Sequence, residues 1–323
     1  MRKLNVLVWQ IHGSYLNTLV QAPHRFYLPT KPDKPEGYGG RGPGHGWSQE
    51  TVEVRAEEVG DLELDLIIYQ TRKNFTEDAR EILTPEQRSL PAIYLEHNTP
   101  QGRVNDMIHP VNDPGVLLVH VTHFNDLFWD CRGTPTRVID HAVMPTGGPY
   151  TGELERGVSL VNDMPRRKRV VGADVFERAR EEVPLDLFGF DSAEAGGFGD
   201  LPQAEVHERM GAYRFYFNPI RYTSLPLSIL EAMEMGLPVV ALATTELVTV
   251  IKDGENGFIS TNVGTLVRRM RGLLADPEEA RRIGEAGRRT VRERFGVERF
   301  AADWEAAFEE AVKLREVIPC ASR

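Results

Sequence analysis

Residues Phe215 to Ser260 read FYFNPIRYTSLPLSILEAMEMGLPVVALATTELVTVIKDGENGFIS. The apolar run Tyr213–Phe217 predicts a short strand that leads through Asn218-Pro219 into a polar turn. Ser224 is placed to cap a helix with Pro226 in its first turn, where a missing N–H costs least. That helix carries Ile229, Leu230 and Met233 on one face and stops at Gly236. Pro238-Val239-Val240-Ala241 then predicts a buried parallel strand, too short and too β-branched for a helix. A second loop, a short helix and the turn Asp253-Gly254-Glu255-Asn256-Gly257 follow.

A strand, a loop and a helix N-terminus in succession are the parts of an anion site, because first-turn N–H groups lack intrahelical partners. Two acids, Glu231 and Glu234, lie off the apolar face of the helix. Glu231 is nearer the amide end, in reach of a neutral diol beside a bound phosphate. Spacing alone is equally compatible with an ordinary βαβ unit whose acids face solvent.

The run S-I-L-E-A-M-E-M-G-L-P-V-V-A, followed by D-G-E-N-G-F, resembles the donor-site signature of the GT-B glycosyltransferases, specifically the retaining family 4 type (glycosyl transferases group 1). The match runs without a gap from Thr223 to Phe258, with weaker similarity from about Val158 to Phe308. The resemblance implies an α/β chain of two Rossmann-like domains facing a cleft, with a last helix crossing back to the first domain. It also implies a nucleoside-diphosphate sugar as donor. In that family the second acid of a Glu-x7-Glu pair binds the nucleotide ribose and the first contacts the donor sugar. Here the second acid is Glu231 and Thr223 stands at the first. The glycine-rich segment after the first acid is replaced by Ser224-Leu225-Pro226, and a later Gly-Gly pair by Thr245-Glu246.

Composition narrows the partners. The 323 residues are 41% hydrophobic and 27% charged, enough for two soluble domains of ordinary size. Net charge is −10 with no interleaved basic and aromatic run, which argues against nucleic acid. Cys131 and Cys320 form no metal-ligand spacing and fit a reducing cytosol. The apolar run after Arg2-Lys3 is too short for a signal peptide, and nothing approaches a membrane-spanning length, so a cytoplasmic protein is expected.

Taken in order, Asn5–Gln10 predicts a first buried strand that ends at Ile11-His12-Gly13-Ser14, a turn where a ligand can approach the backbone. The resemblance turns this loop toward the donor diphosphate. Residues Pro29–Trp47 are dense in Pro and Gly and read as a long surface loop, either a lid over a substrate cleft or a mobile insertion. Strand-like runs recur at Leu64–Tyr69, Ala92–Leu95, Val116–Val121 and Arg137–Ile139. Helix-like segments, Thr76–Leu83 and Phe124–Asp130, lie between them, as in a mostly parallel sheet.

Five of the nine histidines, His12, His97, His120, His123 and His141, fall at or just past predicted strand ends. Those ends line the ligand crevice of open parallel sheets, so the row predicts a polar edge able to exchange protons. Odd spacing on a strand sends His120 and His123 to opposite faces, and no metal is expected. The resemblance puts a histidine near the donor sugar at His97, the catalytic candidate of this half.

Met144–Gly157 turns to Pro, Gly and Thr and reads as an interdomain linker. The loop after Val158–Val161 holds Arg166-Arg167-Lys168-Arg169, where positive charge would neutralise a diphosphate. In the family this loop carries an arginine and a lysine; Lys168 matches the lysine, while Asp163 stands at the arginine. Arg166, Arg167 or Arg221 are the substitutes. The segment around Gly199 and Leu201, with the helix Gln203–Ala212, resembles the part that holds the base. Phe300, Trp304 and Phe308, four apart, require one face of the last helix to bury.

The reading is thus a first domain over 1–148, a nucleotide-sugar domain over 149–300 and a terminal helix over 301–323. The expected activity is metal-independent, retaining transfer of a hexose, without a resident cofactor, to a small-molecule, glycan or lipid-linked hydroxyl acceptor. A sugar-nucleotide epimerase on the same fold is the rival enzyme. A nucleotide-sugar-binding protein without turnover is the other rival, for which Thr223 speaks.

Overall fold

The structure, a computed structural model, describes residues 2–42, 46–148, 150–201 and 203–317. The chain forms two compact units, Met1–Ala142 together with Val297–Arg323, and Val143–Gly296. The first runs β1 (Asn5–Val8), α1 (Gly13–Leu19), β2 (Arg25–Thr30), β3 (Thr51–Arg55), β4 (Leu66–Tyr69), α2 (Ala79–Ile82), β5 (Ala92–Glu96), β6 (Met107–Ile108), β7 (Val116–His120), α3 (His123–Phe128), β8 (Trp129–Asp130) and β9 (Thr136–Val138). The second runs β10 (Leu154–Leu160), α4 (Met164–Arg167), α5 (Ala173–Arg180), β11 (Leu185–Phe188), α6 (Gln203–Ala212), β12 (Tyr213–Asn218), α7 (Leu227–Met235), β13 (Val239–Leu242), α8 (Leu247–Val250), β14 (Phe258–Ser260), α9 (Val263–Ala275) and α10 (Pro277–Arg294). The closing helix, α11 (Val297–Val317), packs with the first unit.

The first unit's main sheet has the order β3-β2-β1-β4-β5-β7-β9, with every pairing parallel. LIIY, AIYLE and VLLVH are buried end to end, as strands covered on both faces must be. On α11, Phe300, Trp304 and Phe308 are all buried. Tyr15 meets Phe300 and Trp304 edge-on at 5.4 and 6.5 Å, and the His24 ring lies 5.1 Å from Phe308. Each such ring contributes about 1.5–3 kcal/mol by burial. Residues 318–323 of the segment expected as the terminal helix lie outside the described residues.

The Pro/Gly-rich stretch from Pro29 to Trp47 corrects one expectation. Tyr38 within it is fully buried, against the same core as Trp9. Gly37 and Gly39 bridge to Gln10 and Thr30, and the Lys31 ammonium lies 4.2 Å above the Tyr38 ring. Tyr38 therefore anchors a segment otherwise dense in Pro and Gly. Residues 43–45 lie outside the described residues.

In the second unit the order β11-β10-β12-β13-β14 is again wholly parallel. Strand alternation splits its core. Phe215, Phe217 and Val240 face Phe176, Leu266 and Met270, whereas Tyr216, Val239 and Ala241 face Ile229, Leu230 and Met233 of α7. Gly236 ends α7 in the left-handed region, at φ 82°. The segment read as a linker packs within this unit: Thr151 and Gly152 donate to the Gly211 carbonyl at 2.8 and 3.1 Å, and the Tyr150 hydroxyl donates to the Arg214 carbonyl at 2.9 Å. Glu234, expected off the apolar face, is also buried; its carboxylate accepts from the Thr146 N–H and hydroxyl at 3.1 and 2.6 Å and from Arg292 at 3.2 Å.

Candidate functional site

In an open parallel sheet, ligands bind beyond the carboxyl ends of the strands where the strand order reverses. The second unit reverses between β10 and β12, so the turns after those strands, residues 161–172 and 219–226, flank the crevice. Hydrogen bonds lace four loops along this edge. The Asp163 N–H donates to the Phe190 carbonyl at 2.9 Å, and the Phe190 N–H to Asn162 Oδ1 at 2.9 Å. The Arg221 N–H reaches the Val170 carbonyl at 3.0 Å. Thr244 and Thr245 hydroxyls donate to the Ile220 and Ser224 carbonyls, each at 3.3 Å. Gly172 lets two of these loops touch: its φ is 76°, and a Cβ there would lie 1.8 Å from the Pro219 carbonyl oxygen.

The basic turn is less available than its sequence implies. Arg166 is ion-paired with Asp163, the N-cap of α4, which raises the guanidinium pKa and lowers the carboxyl pKa. Arg221 grips both oxygens of Asp174, at 2.5 and 2.7 Å, and also donates to the Arg169 carbonyl at 2.8 Å. Arg169 holds the same Asp174, at 2.6 Å. Arg167 and Lys168 make no ion pair among the described residues. Burial and the neighbouring Arg166 lower the Arg167 pKa, the mark of a cation short of compensating charge. Of the candidate cations, these two remain uncommitted.

Helix α7 begins one step later than its sequence suggests. Pro226 occupies the N-cap position with extended backbone, so Ser224 lies two residues ahead of the cap position. Proline disfavours the helical region for the residue before it, which keeps Leu225 out of the helix. Ser224 and Leu225 are both buried, Leu225 within the apolar core, while Thr223 is half-buried. On the next turn the Glu231 carboxylate is 16% exposed, and His207 Nε2 of α6 lies 3.8 Å from its Oε2. Nothing in the sequence pattern marked His207. The Tyr216 hydroxyl meets Ser228 Oγ at 3.0 Å one turn before Glu231. Gly199, at φ 84°, exchanges hydrogen bonds with Ser192 at 3.0 and 3.3 Å, and Leu201 packs half-buried on the core. Thr245 takes a φ of 51°, uncommon for a β-branched residue.

The first unit's histidine row divides. His97 follows β5, and the His12 ring lies 4.1 Å from it. Tyr15 contacts His97 and His141 edge-on at 4.9 and 5.5 Å. The Gln70 amide donates to the Trp9 carbonyl, so its Oε1 faces His97 Nε2 at 2.8 Å and that nitrogen carries the proton. Burial first, then His12 and His141, holds the His97 pKa well below its usual value, so the ring is neutral. Burial also lowers the pKa of His12, which opens α1 with Gly13 and Ser14. His120 belongs to another cluster, 3.4 Å from Cys131 and 3.7 Å from Asp126, and burial aided by His109 pushes it down to about 3. His123 opens α3 and is exposed. A continuous proton-exchanging row is therefore not what the edge presents: His97 and His120 are buried as neutral rings.

Both units are doubly wound parallel α/β sheets, and the second has its cations and acid at the reversal point; this is the GT-B architecture. Residues 196–290 match the sequence model of the family described as glycosyl transferases group 1. Over 97 residues the chain is 36% identical to the MMP alpha-(1->4)-mannosyltransferase of Mycolicibacterium hassiacum, a match covering 29% of this chain and 24% of that protein. The chain thus matches about a quarter of the length of that curated relative. Sucrose-phosphate synthase of Thermosynechococcus elongatus superposes with a TM-score of 0.69 at 15% identity, covering 95% of this chain and 99% of that one. HepE of Anabaena, in complex with UDP and glucose, superposes with a TM-score of 0.63 at 12% identity, covering 95% and 99%. The chain resembles the group 1 glycosyltransferases in sequence over residues 196–290 and has the GT-B glycosyltransferase fold.

Proposed function

We propose that this chain is a glycosyltransferase whose second unit binds a nucleoside-diphosphate sugar and whose reaction moves a hexose to a hydroxyl acceptor with retention. The observation that carries the reading is the reversal point between β10 and β12, where two cations without an ion pair among the described residues, the start of α7 and Glu231 belong to adjoining segments. The named mannosyltransferase relative supports a hexose, and the UDP complex of HepE supports a nucleoside diphosphate. In this reading Lys168, Arg167 and the first amides of α7 neutralise the leaving diphosphate, a task given to side chains and backbone rather than to a metal ion. Glu231 accepts from the ribose hydroxyls. Arg166 and Arg221 hold the loops in shape, and Thr223 offers the sugar a hydroxyl where the family has a carboxylate.

The test is incubation with UDP-, GDP- and ADP-sugars, with and without simple glycosides as acceptors, followed by assay of nucleotide, free sugar and sugar configuration. Acceptor-dependent release of nucleotide is expected. A sugar changed while still on the nucleotide would indicate epimerisation, and affinity without turnover a binding protein.

Lys168→Ala or Arg167→Ala should each weaken nucleoside diphosphate binding about tenfold or more, the loss of one charge-assisted contact, and leave free nucleoside binding unchanged. Arg166→Ala should change diphosphate affinity less than either, as calorimetric titration would show. His97→Ala should lower kcat by more than it raises the donor Kd; an unaltered rate would remove His97 from the reaction.

A further inference from the structure

We infer that the far end of α7 carries a binding site of its own, a pocket for a phosphomonoester with free hydroxyls, apart from the crevice proposed for the donor. Helix α7 is nine residues long, so its last turn lies about 13 Å along the axis from its start at the β10–β12 reversal. A cavity of about 430 Å³ opens there, and the residues lining it include Gly148, Tyr150, Gly236, Arg281, Glu285 and Arg288. All of them belong to the second unit.

A Cβ on Gly284 would lie 1.9 Å from the Gly236 carbonyl oxygen, so α10 rests directly on the end of α7. Arg281, Glu285 and Arg288 flank that contact at helical spacing and share one face of α10. The two cations are left over by the helix's own pairing. Arg282 and Arg292 hold Glu279 and Glu234 at 2.6 and 3.2 Å. Arg281 has no ion pair among the described residues, only a long contact of 3.4 Å to the Thr151 carbonyl. Arg288 stands 4.0 Å from Glu285, too far for a hydrogen bond, and its Nε is buried without a partner. The end of α7 does not use these arginines either. Its Ala232 and Met233 carbonyls accept from the Leu237 and Gly236 N–H groups at 2.9 and 3.0 Å.

The wall facing α10 is anchored at both ends. Thr146 donates to the buried Glu234 at 2.6 Å, and the Tyr150 hydroxyl to the Arg214 carbonyl at 2.9 Å. Arg288 is steadied as well, its Cδ lying 3.9 Å from the place of a Cβ on Gly236. A guanidinium presents a planar fork that matches the oxygens of a phosphate, and two of them on one helix face can close on it from either side. A bare phosphate would leave Glu285 facing like charge. A phosphomonoester whose neighbouring hydroxyls donate to Glu285 satisfies all three side chains, because an ionised carboxylate only accepts.

The experiment titrates glycerol 3-phosphate, glycerol and inorganic phosphate calorimetrically into the full chain and into Arg281→Ala, Arg288→Ala, Arg288→Lys, Glu285→Ala and Lys168→Ala. Melting temperatures check that each variant folds. Glycerol 3-phosphate should bind more tightly than inorganic phosphate, and glycerol not at all. Arg281→Ala and Arg288→Ala should each weaken the ester about tenfold, the loss of one charge-assisted contact. Arg288→Lys, which keeps the charge without the fork, should lose less. Glu285→Ala should remove the preference for the ester over phosphate. Lys168→Ala, altered in the donor crevice, and saturation with UDP should both leave the ester's affinity unchanged. No binding at millimolar ester, or binding lost in Lys168→Ala and kept in Arg288→Ala, would overturn the inference. Inorganic phosphate bound as tightly as the ester would overturn the class of ligand. The proposed transfer reaction stands or falls separately, since of these residues only Lys168 serves it.

Discussion

Glu231→Ala should weaken nucleoside diphosphate binding about 100-fold while leaving the melting temperature nearly unchanged. The carboxylate is mostly buried, lies 3.8 Å from His207 Nε2, and holds no other partner among the described residues. Removing it therefore breaks no established ion pair or hydrogen bond. What it removes is an acceptor for ligand hydroxyls, and two hydrogen bonds to a charged group are worth about 3 kcal/mol together, or about two decades in Kd. Glu234, three residues on, is the internal control. It secures Thr146 and Arg292, so Glu234→Ala should act first on stability and only secondarily on affinity. Equilibrium unfolding and titration on both variants separate the two acids; equal affinity losses without destabilisation would contradict the division.

The largest effect on the fold is expected from Gly172→Ala. Its φ of 76° lies in the left-handed region, and the added Cβ would meet the Pro219 carbonyl oxygen at 1.8 Å. The conformational penalty is about 1–2 kcal/mol, and relieving the overlap adds about 1–3 kcal/mol. A loss of about 3 kcal/mol corresponds to a melting temperature lower by about 6–12 °C for a unit of this size. Because the contact joins the turn after β10 to the turn after β12, nucleotide affinity should fall as well. Thermal unfolding measures the first effect; a variant as stable as the parent would mean the loops separate freely.

Much of the architecture was legible because buried parallel strands write themselves as unbroken apolar runs. Val116–His120 and Val239–Leu242 need no neighbours to be read. Gly236 announced the end of α7, since a left-handed C-terminal residue favours glycine. The start of that helix was misread because a serine two residues before a proline looks like a cap, whereas the proline itself forces the preceding residue to stay extended. Tyr38 shows the limit of composition: one aromatic in a Pro/Gly-rich stretch found a core that the segment could not build.

The candidate site was less legible, for electrostatic reasons. A run of four basic residues says nothing about which of them fold back, Arg166 onto Asp163 and Arg169 onto Asp174, because both partners lie within one or two turns and geometry decides. Likewise, five histidines at strand ends share an edge but not a depth. His97 is held by Gln70 and His120 by burial near Cys131, while His123 is exposed. The approach of His207 to Glu231, 3.8 Å across two helices, left no trace in the sequence.

The most direct measurement is a crystal structure of the chain soaked with UDP, GDP or ADP. A diphosphate is expected against Lys168, Arg167 and the first turn of α7, with the ribose hydroxyls on Glu231. A nucleotide bound away from the β10–β12 reversal, or no bound nucleotide at millimolar concentration with Glu231 turned to solvent, would contradict it.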